Sequence, residues 1–132
     1  MPDVPWSTPT PPAPGAEVHV MASRFETETL IGAFRFFLRS PGIIRQVRRA
    51  PGAHGVALRA RVFSRTFLTL SAWQDRDALY RFAGSEPHRS SSRAAAAFMR
   101  ESTFAFWTAP ASGLPVTWAE AERRLAEQRA RS

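Results

Sequence analysis

The amino-acid sequence predicts an α+β fold of the ferredoxin-like class, in which the elements follow the order β-α-β-β-α-β and an extra helix ends the chain. Three observations predict it. Four segments have the length, alternation and residue types of strands. Two segments between them repeat apolar residues at spacings of three and four, as amphipathic helices do. A last helical segment follows a proline-rich linker.

The chain begins with a proline-rich arm, residues 1–16, whose six prolines remove backbone donors and disfavour a helix. We expect this arm to be flexible, and a single domain to span residues 17–132. The first strand is predicted from Glu17 to Phe25, because Val18 and Val20 alternate with more polar neighbours such as His19.

The first helix is predicted over residues 28–50 in two parts, because Pro41 interrupts its apolar stripe. Strands over 56–62 and 66–73 follow. They are joined by a short connection at Ser64 and Arg65, so they form an antiparallel hairpin.

The second helical region is predicted to start at a cap, Asp75 or Gln74, to break at residues 84–87 and to continue over 88–99. A fourth strand spans 103–108. Thr117 is expected to cap the last helix, with Glu120 three residues later completing a capping box.

Both helices of this element order lie on one face of the sheet. No further element long enough to cover the other face is evident in the sequence. Exposed apolar side chains on that face would cost free energy, and a second copy of the same sheet removes them from water. We therefore expect a homodimer.

Composition narrows the function classes. With no cysteine, the chain has no disulfides, thiolate metal sites or cysteine nucleophile. All 18 basic residues are arginine, which indicates a GC-rich coding bias, and they are scattered in the sequence; the net charge of +7 therefore predicts neither a nucleic-acid nor a membrane partner. With no signal peptide or spanning segment evident, a cytoplasmic location is expected. No P-loop, dinucleotide fingerprint or catalytic-triad motif is present in the sequence.

Residues 69–82 and 85–88 resemble the small monooxygenase superfamily named for antibiotic biosynthesis, with relatives near spheroidene monooxygenase. The shared features are a strand ending in Trp73, an acidic cap at Asp75, the aromatic Phe82 nine residues after the tryptophan, and His88 near the helix break. The resemblance implies a dimeric α/β barrel over residues 17–109. It also implies an oxygenase-like enzyme that acts on a planar, largely apolar small molecule in bacterial secondary metabolism and needs no cofactor.

Two alternatives stay open. The superfamily includes heme-degrading enzymes, so the chain could be a heme protein with His88 as the iron ligand, although the position where those enzymes carry the ligand holds Ser92. The other alternative is a non-catalytic ligand-binding or structural dimer, which a cavity filled by the chain's own phenylalanine and tryptophan side chains would favour.

A ligand cavity is expected between the sheet and its helices. The candidate catalytic residues are His88 as general base or axial ligand, Tyr80 as a hydrogen-bonding phenol, and Trp73. Trp73 and Trp107 are expected to bracket a planar substrate, and Arg59 to bind an anionic group. Apart from a heme iron bound by His88, no metal site is expected. The candidate substrate-binding residues are His19, Phe34, Phe37, Phe67, Phe82, Trp107 and Arg59. Each aromatic residue among them also suits a structural core.

Overall fold

A computed structural model of the chain describes residues 3–85 and 99–131. Its strands are β1 (Asp3–Ser7), β2 (Glu17–Thr27), β3 (Ala53–Arg61), β4 (Thr66–Trp73) and β5 (Met99–Pro110), and its helices are α1 (Leu30–Arg49), α2 (Arg76–Gly84) and α3 (Trp118–Arg131). The strands form one antiparallel sheet in the order β1-β3-β4-β2-β5. Without β1 this is the ferredoxin-like sheet, so the predicted fold class is confirmed.

The described part of the proline-rich arm contains an edge strand, which the prediction of a flexible arm missed. Asp3 lies opposite Arg59 in β3, and the register shifts between Val4 and Ser7. An edge strand tolerates the intervening proline because one side of it needs no ladder hydrogen bonds. Gly55 accommodates the arm, since a Cβ at this position would collide with the Trp6 ring.

Helix α1 is continuous, so the two-part helix predicted from Pro41 is wrong. Its buried residues lie on both sides of the proline, with Phe36 before it and Val47 after it. The packing of this face against the sheet outweighs the cost of about 3 kcal/mol for an internal proline. Helix α2 begins as predicted, because the Asp75 carboxylate accepts a hydrogen bond of 2.8 Å from the Ala78 amide.

The predicted second segment of the α2 region, residues 88–99, lies outside the described residues except for Met99, which begins β5. The strand predicted over 103–108 is longer at both ends. No helix in the described ranges 3–85 and 99–131 combines the length and apolar character that a bilayer crossing demands.

Helix α3 covers the sheet face that we expected a second subunit to cover. Thr117 caps it as predicted, accepting a hydrogen bond of 3.2 Å from the Glu120 amide. Ala121 and Leu125 are fully buried in a cluster with side chains of β2, β4 and β5. The narrow apolar stripe of α3 is thus sufficient to cover much of this face. The homodimer stays a prediction, but α3 covers much of the face whose exposure motivated it.

The two faces of the sheet carry separate cores. Val20, Leu68 and Trp107 pack in the cluster that contains Ala121 and Leu125 of α3. The alternate residues of the same strands face α1 and α2, where two clusters form around Trp73 and around Phe67. This second face contains the cavity.

Candidate active site

A cavity of about 520 Å³ lies between the sheet and helices α1 and α2. Its lining is mostly aliphatic and aromatic, with a few hydroxyl groups. Such a lining is typical of small-molecule sites, which combine an apolar wall with a few placed polar groups. The described lining residues are Met21, Ser23, Phe25, Phe36, Ile43, Ile44, Val47, Val56, Thr69, Leu70, Ser71, Trp73, Leu79, Tyr80, Phe82, Ala83, Met99, Ser102, Phe104 and Phe106.

The floor of the cavity is built from small hydroxyl residues on two central strands. Ser23 of β2 lies opposite Thr69 of β4, and their hydroxyls hydrogen-bond to each other. Ser71, two residues along β4, accepts a hydrogen bond of 2.8 Å from the Trp73 indole nitrogen. Small side chains at these positions leave space between the sheet and the helices.

These three hydroxyl residues were not among the site residues predicted from the sequence. The alternation of β4 could have indicated this floor, because Thr69 and Ser71 share a strand face with Phe67 and Trp73. Two small polar residues on a buried, otherwise aromatic strand face mark a place where the core is not filled.

Aromatic rings form two walls of the cavity. On the α2 side, the Trp73 and Phe82 rings lie 5.2 Å apart between centroids. On the β5 side, Phe104 and Phe106 stack at 6.5 Å with an interplanar angle of 12°. Trp73, predicted as a catalytic residue, and Phe82, predicted to bind substrate, both line the cavity, and their roles stay predictions.

Tyr80 projects from α2 and lines the cavity while remaining partly exposed. The Arg76 guanidinium lies over its ring, 5.0 Å from the centroid. This contact orients the ring by a cation–π interaction. Among the described residues the phenol hydroxyl makes no hydrogen bond, so it is available to a ligand.

His19 lies on the cavity face of β2, opposite Trp73 in β4. It does not line the cavity itself, but its ring stacks on Phe106, which does, at 5.8 Å and 16°. Burial is the main cause that lowers the pKa of His19, and the nearby Arg76 charge lowers it further, while Asp75 acts in the opposite direction. Its buried Nε2 atom has no hydrogen-bond partner within residues 3–85 and 99–131.

Residues 28–131 match the model of the family described as Domain of unknown function (DUF3291). The chain belongs to this family. No curated protein matches the DUF3291 chain in sequence.

Solved structures share its fold. SnoaB, a cofactor-independent oxygenase from Streptomyces nogalater, is 22% identical with a TM-score of 0.55, over 71% of this chain and 94% of SnoaB. Protein SO0527 from Shewanella oneidensis is 10% identical with a TM-score of 0.63, over 80% of this chain and 98% of that one. A protein described as antibiotic biosynthesis monooxygenase is 17% identical with a TM-score of 0.59, over 68% and 95%. The ferredoxin-like chain fold implied by the sequence resemblance is confirmed, and the dimeric assembly stays a prediction.

Two residues predicted to bind substrate in the DUF3291 chain lie on the opposite, α3 face of the sheet. Trp107 packs there under the Arg124 guanidinium, 4.6 Å from the ring centroid. Because Trp73 is on the cavity face, the two tryptophans do not bracket a ligand. Arg59 forms ion pairs with Asp3 and Glu122, at 3.8 and 3.7 Å. Its role in this structure is to tie β1 and α3 to β3.

Three predicted phenylalanines also lie away from the cavity. Phe67 is fully buried in a cluster on the same sheet face, and Phe37 packs against that cluster. Phe34 points outward from α1 and contacts Phe63. The alternation and spacing placed these residues on strands and helices correctly, but aromatic character alone does not distinguish core, surface and cavity.

His88 lies outside the described residues, so the heme alternative is supported by sequence alone. None of the described cavity-lining residues is a histidine. Within the described ranges no group of three histidine, aspartate or glutamate residues is placed to hold a metal ion.

Proposed function

We propose that this chain is a small oxygenase that binds a planar, largely apolar molecule in the cavity and oxidises it without a cofactor, in bacterial secondary metabolism. The observation that carries the proposal is the cavity of about 520 Å³, with aromatic walls and a hydroxyl floor. Flat walls and few polar groups favour a fused aromatic ring system with oxygen substituents at one edge.

Each side of the cavity has a role in binding. The Trp73 and Phe82 rings contact the face of the substrate. The Tyr80 hydroxyl donates a hydrogen bond to a substrate oxygen at the partly exposed end. Phe104 and Phe106 close the opposite side. With the floor hydroxyls of Ser23, Thr69 and Ser71 mostly engaged with one another and with Trp73, the floor offers acceptor lone pairs rather than charge.

In the proposed reaction the substrate itself supplies the electrons that reduce O₂, so no cofactor is needed. An activated ring CH₂ group loses a proton, and the carbanion transfers electrons to O₂ and forms a C–O bond. Loss of water then leaves a carbonyl. One CH₂ and one O₂ give one C=O and one H₂O, so the electrons balance within the substrate and oxygen. The apolar cavity favours this path because it excludes water from the intermediates.

The proton acceptor is a histidine in this proposal. His19 carries a lowered pKa and an unpartnered Nε2, so it is neutral and able to accept a proton at neutral pH. Because His19 lies behind Phe106 and does not line the cavity itself, this role requires the Phe106 ring to move aside when substrate binds. His88, the base expected from the sequence, is the alternative. The comparison with SnoaB, described as a cofactor-independent oxygenase, supports the reaction class through a shared fold. The volume of the cavity speaks against the alternative in which the chain's own aromatic side chains fill it.

The test is oxidation of polycyclic phenols and anthrone-type substrates by the purified full chain, in air, with no added cofactor. Quinone absorbance and incorporation of one ¹⁸O atom from ¹⁸O₂ are the readouts. We expect Tyr80→Phe to lower kcat/KM about tenfold, since a lost hydrogen bond to bound substrate is worth about 1.4 kcal/mol. Failure of the chain to oxidise any such substrate, with no ligand detected in the cavity, would contradict the proposal.

A matched pair of substitutions tests the location of the site. Phe104→Trp enlarges a cavity wall, whereas Phe63→Trp makes the same change at an exposed position outside the cavity. We expect the first to raise KM or abolish turnover and the second to leave both unchanged. The His19→Gln and His88→Gln variants identify the base: its loss should remove the acidic limb of the pH–rate profile. Hemin titration of wild type and His88→Ala tests the heme alternative independently.

A further inference from the structure

The charge of the chain is distributed unevenly along its sequence. Residues 29–74 contain eight arginines and no acidic residue. Helix α1 alone contributes five of them, and all five are exposed: Arg35, Arg39, Arg45, Arg48 and Arg49. Helix α3, on the opposite face of the sheet, has ion pairs of its own in which Glu120 and Glu127 contact Arg123. The outer side of α1 is therefore strongly cationic, and α3 is locally balanced.

The same outer side of α1 also exposes large apolar residues. Ile31, Phe34 and Leu38, at helical spacings of three and four, are 68%, 44% and 75% exposed. Phe63, in the turn after β3, is 75% exposed, and its ring meets Phe34 edge-on at 6.1 Å. We name this surface the α1 patch; it consists of Leu30, Ile31, Phe34, Leu38 and Phe63. A cluster of this kind is unusual on the outside of a helix whose other side already packs on the sheet.

We infer that the α1 patch docks onto the surface of an anionic lipid bilayer. An amphipathic helix that lies in a membrane interface combines exposed aromatic and aliphatic residues with flanking basic residues, and α1 has both. Ile31, Leu38 and Phe63 insert at the boundary between headgroups and acyl chains. The five arginines bind lipid phosphates, for which a guanidinium supplies paired donors.

The positive charge of α1 favours an anionic bilayer over a second copy of the chain as the partner of the α1 patch. Two α1 helices packed through this surface would bring ten arginines together with no acidic residue on either helix. An anionic leaflet instead attracts each arginine near its surface. No membrane partner was predicted from the sequence because the arginines are scattered along the chain, but α1 brings five of them together on its exposed side.

The α1 patch lies on the side of α1 opposite the cavity, which is lined by Phe36, Ile43 and Val47 of the same helix. Docking leaves the cavity free of the bilayer, and it does not depend on the proposed oxygenase activity. If an experiment refutes membrane docking, the proposed oxygenase activity is unaffected, and the reverse also holds.

The experiment is co-sedimentation of the full chain with vesicles of phosphatidylcholine alone or with about one third phosphatidylglycerol. We expect binding to the anionic vesicles only, and weaker binding as salt shortens the range of the attraction. Leu38→Ser/Phe63→Ser should weaken binding more than about tenfold, because two exposed apolar side chains no longer insert. Arg35→Gln/Arg39→Gln should weaken it about fivefold for each arginine.

The control is Arg123→Gln/Arg131→Gln, which removes the same charge from α3. It should bind within about twofold of wild type, because α3 faces away from the bilayer. Circular dichroism confirms that each variant is folded. Absence of wild-type binding to anionic vesicles at low salt overturns the inference, as does equal weakening by the α3 control, which would indicate a general charge effect. Wild-type affinity in Leu38→Ser/Phe63→Ser also overturns it. A dimer that the same variant dissociates, without vesicle binding, would assign the α1 patch to a second copy instead.

Discussion

The two faces of the sheet use neighbouring residues of one strand in different ways. Trp107, toward α3, is 8% exposed and lies under Arg124. Phe106, the residue before it, points to the other face, lines the cavity and is 50% exposed. On the α3 face an aromatic ring is fully used in packing. On the cavity face a ring of similar size leaves half of its surface exposed.

Charged residues are also distributed differently on the two faces of the sheet. On the α3 side, Glu101 joins Arg24 and Arg129, at 3.6 and 2.8 Å, and Arg59 bridges β1 and α3. The polar groups lining the described part of the cavity are hydroxyls. Ionic groups thus connect elements on the α3 side of the sheet, whereas no charged side chain is among the described residues that line the cavity. This difference is why an apolar ligand suits one face and why the other serves stability.

The largest expected effect comes from truncating the two neighbouring rings of β5. Trp107→Ala should lower the free energy of unfolding by about 3–5 kcal/mol, as deletion of a buried tryptophan does. Phe106→Ala should lower it by about 1 kcal/mol, because half of that ring is already in solvent. Denaturant unfolding followed by circular dichroism measures both. Equal losses would mean that the cavity face is packed as tightly as the α3 face.

A smaller effect is expected from the hydroxyl pair on the cavity floor. Ser23→Ala or Thr69→Val alone leaves one buried hydroxyl without its partner, which costs about 1 kcal/mol. The double variant removes both groups and should be closer to wild type than the sum of the single losses. A double-mutant cycle of unfolding free energies gives the coupling. Additive losses would show that the two hydroxyls do not depend on each other.

The strands and caps could be predicted from the sequence because they depend on local patterns. The strand over 66–73 was predicted at its observed bounds, and Asp75 and Thr117 cap their helices as expected. The fold class followed from the order of these elements. Alternation also assigned His19 correctly to the side of β2 opposite Val18 and Val20.

The features that were predicted wrongly or not at all depend on contacts between residues that are distant in the sequence. Pro41 stays inside α1 because packing on both sides of it outweighs a local cost. β1 exists because β3 offers an open edge and Gly55 leaves room for Trp6. The position of α3 decided which face Trp107 and Arg59 occupy and weakened the reason for expecting a dimer. A pattern in one segment gives the periodicity of its faces, but not which partner each face meets.

The smallest expected effect is a pH dependence from His19, a titratable residue on the cavity face of β2. Its pKa in the folded chain lies below the ordinary value of 6.5, mainly through burial and then through Arg76. Between those two values the unfolded chain binds more protons than the folded chain. Folding is therefore unaffected by this group above about pH 6.5 and loses stability as the pH falls through the unfolded pKa toward the folded one.

His19→Gln removes this contribution while keeping a polar side chain of similar length at that position. We expect the unfolding free energy of wild type to fall more steeply than that of His19→Gln as the pH decreases from about 7 to about 5. Denaturant titrations at each pH give the difference between the two proteins, and NMR titration of the His19 ring gives its folded pKa directly. Parallel pH profiles, or a ring that titrates at or above the ordinary value, would show that water reaches this imidazole as freely as it reaches an exposed one. The cavity face would then be wetter at the Phe106 end than its lining indicates, and His19 would be a weaker choice for the base.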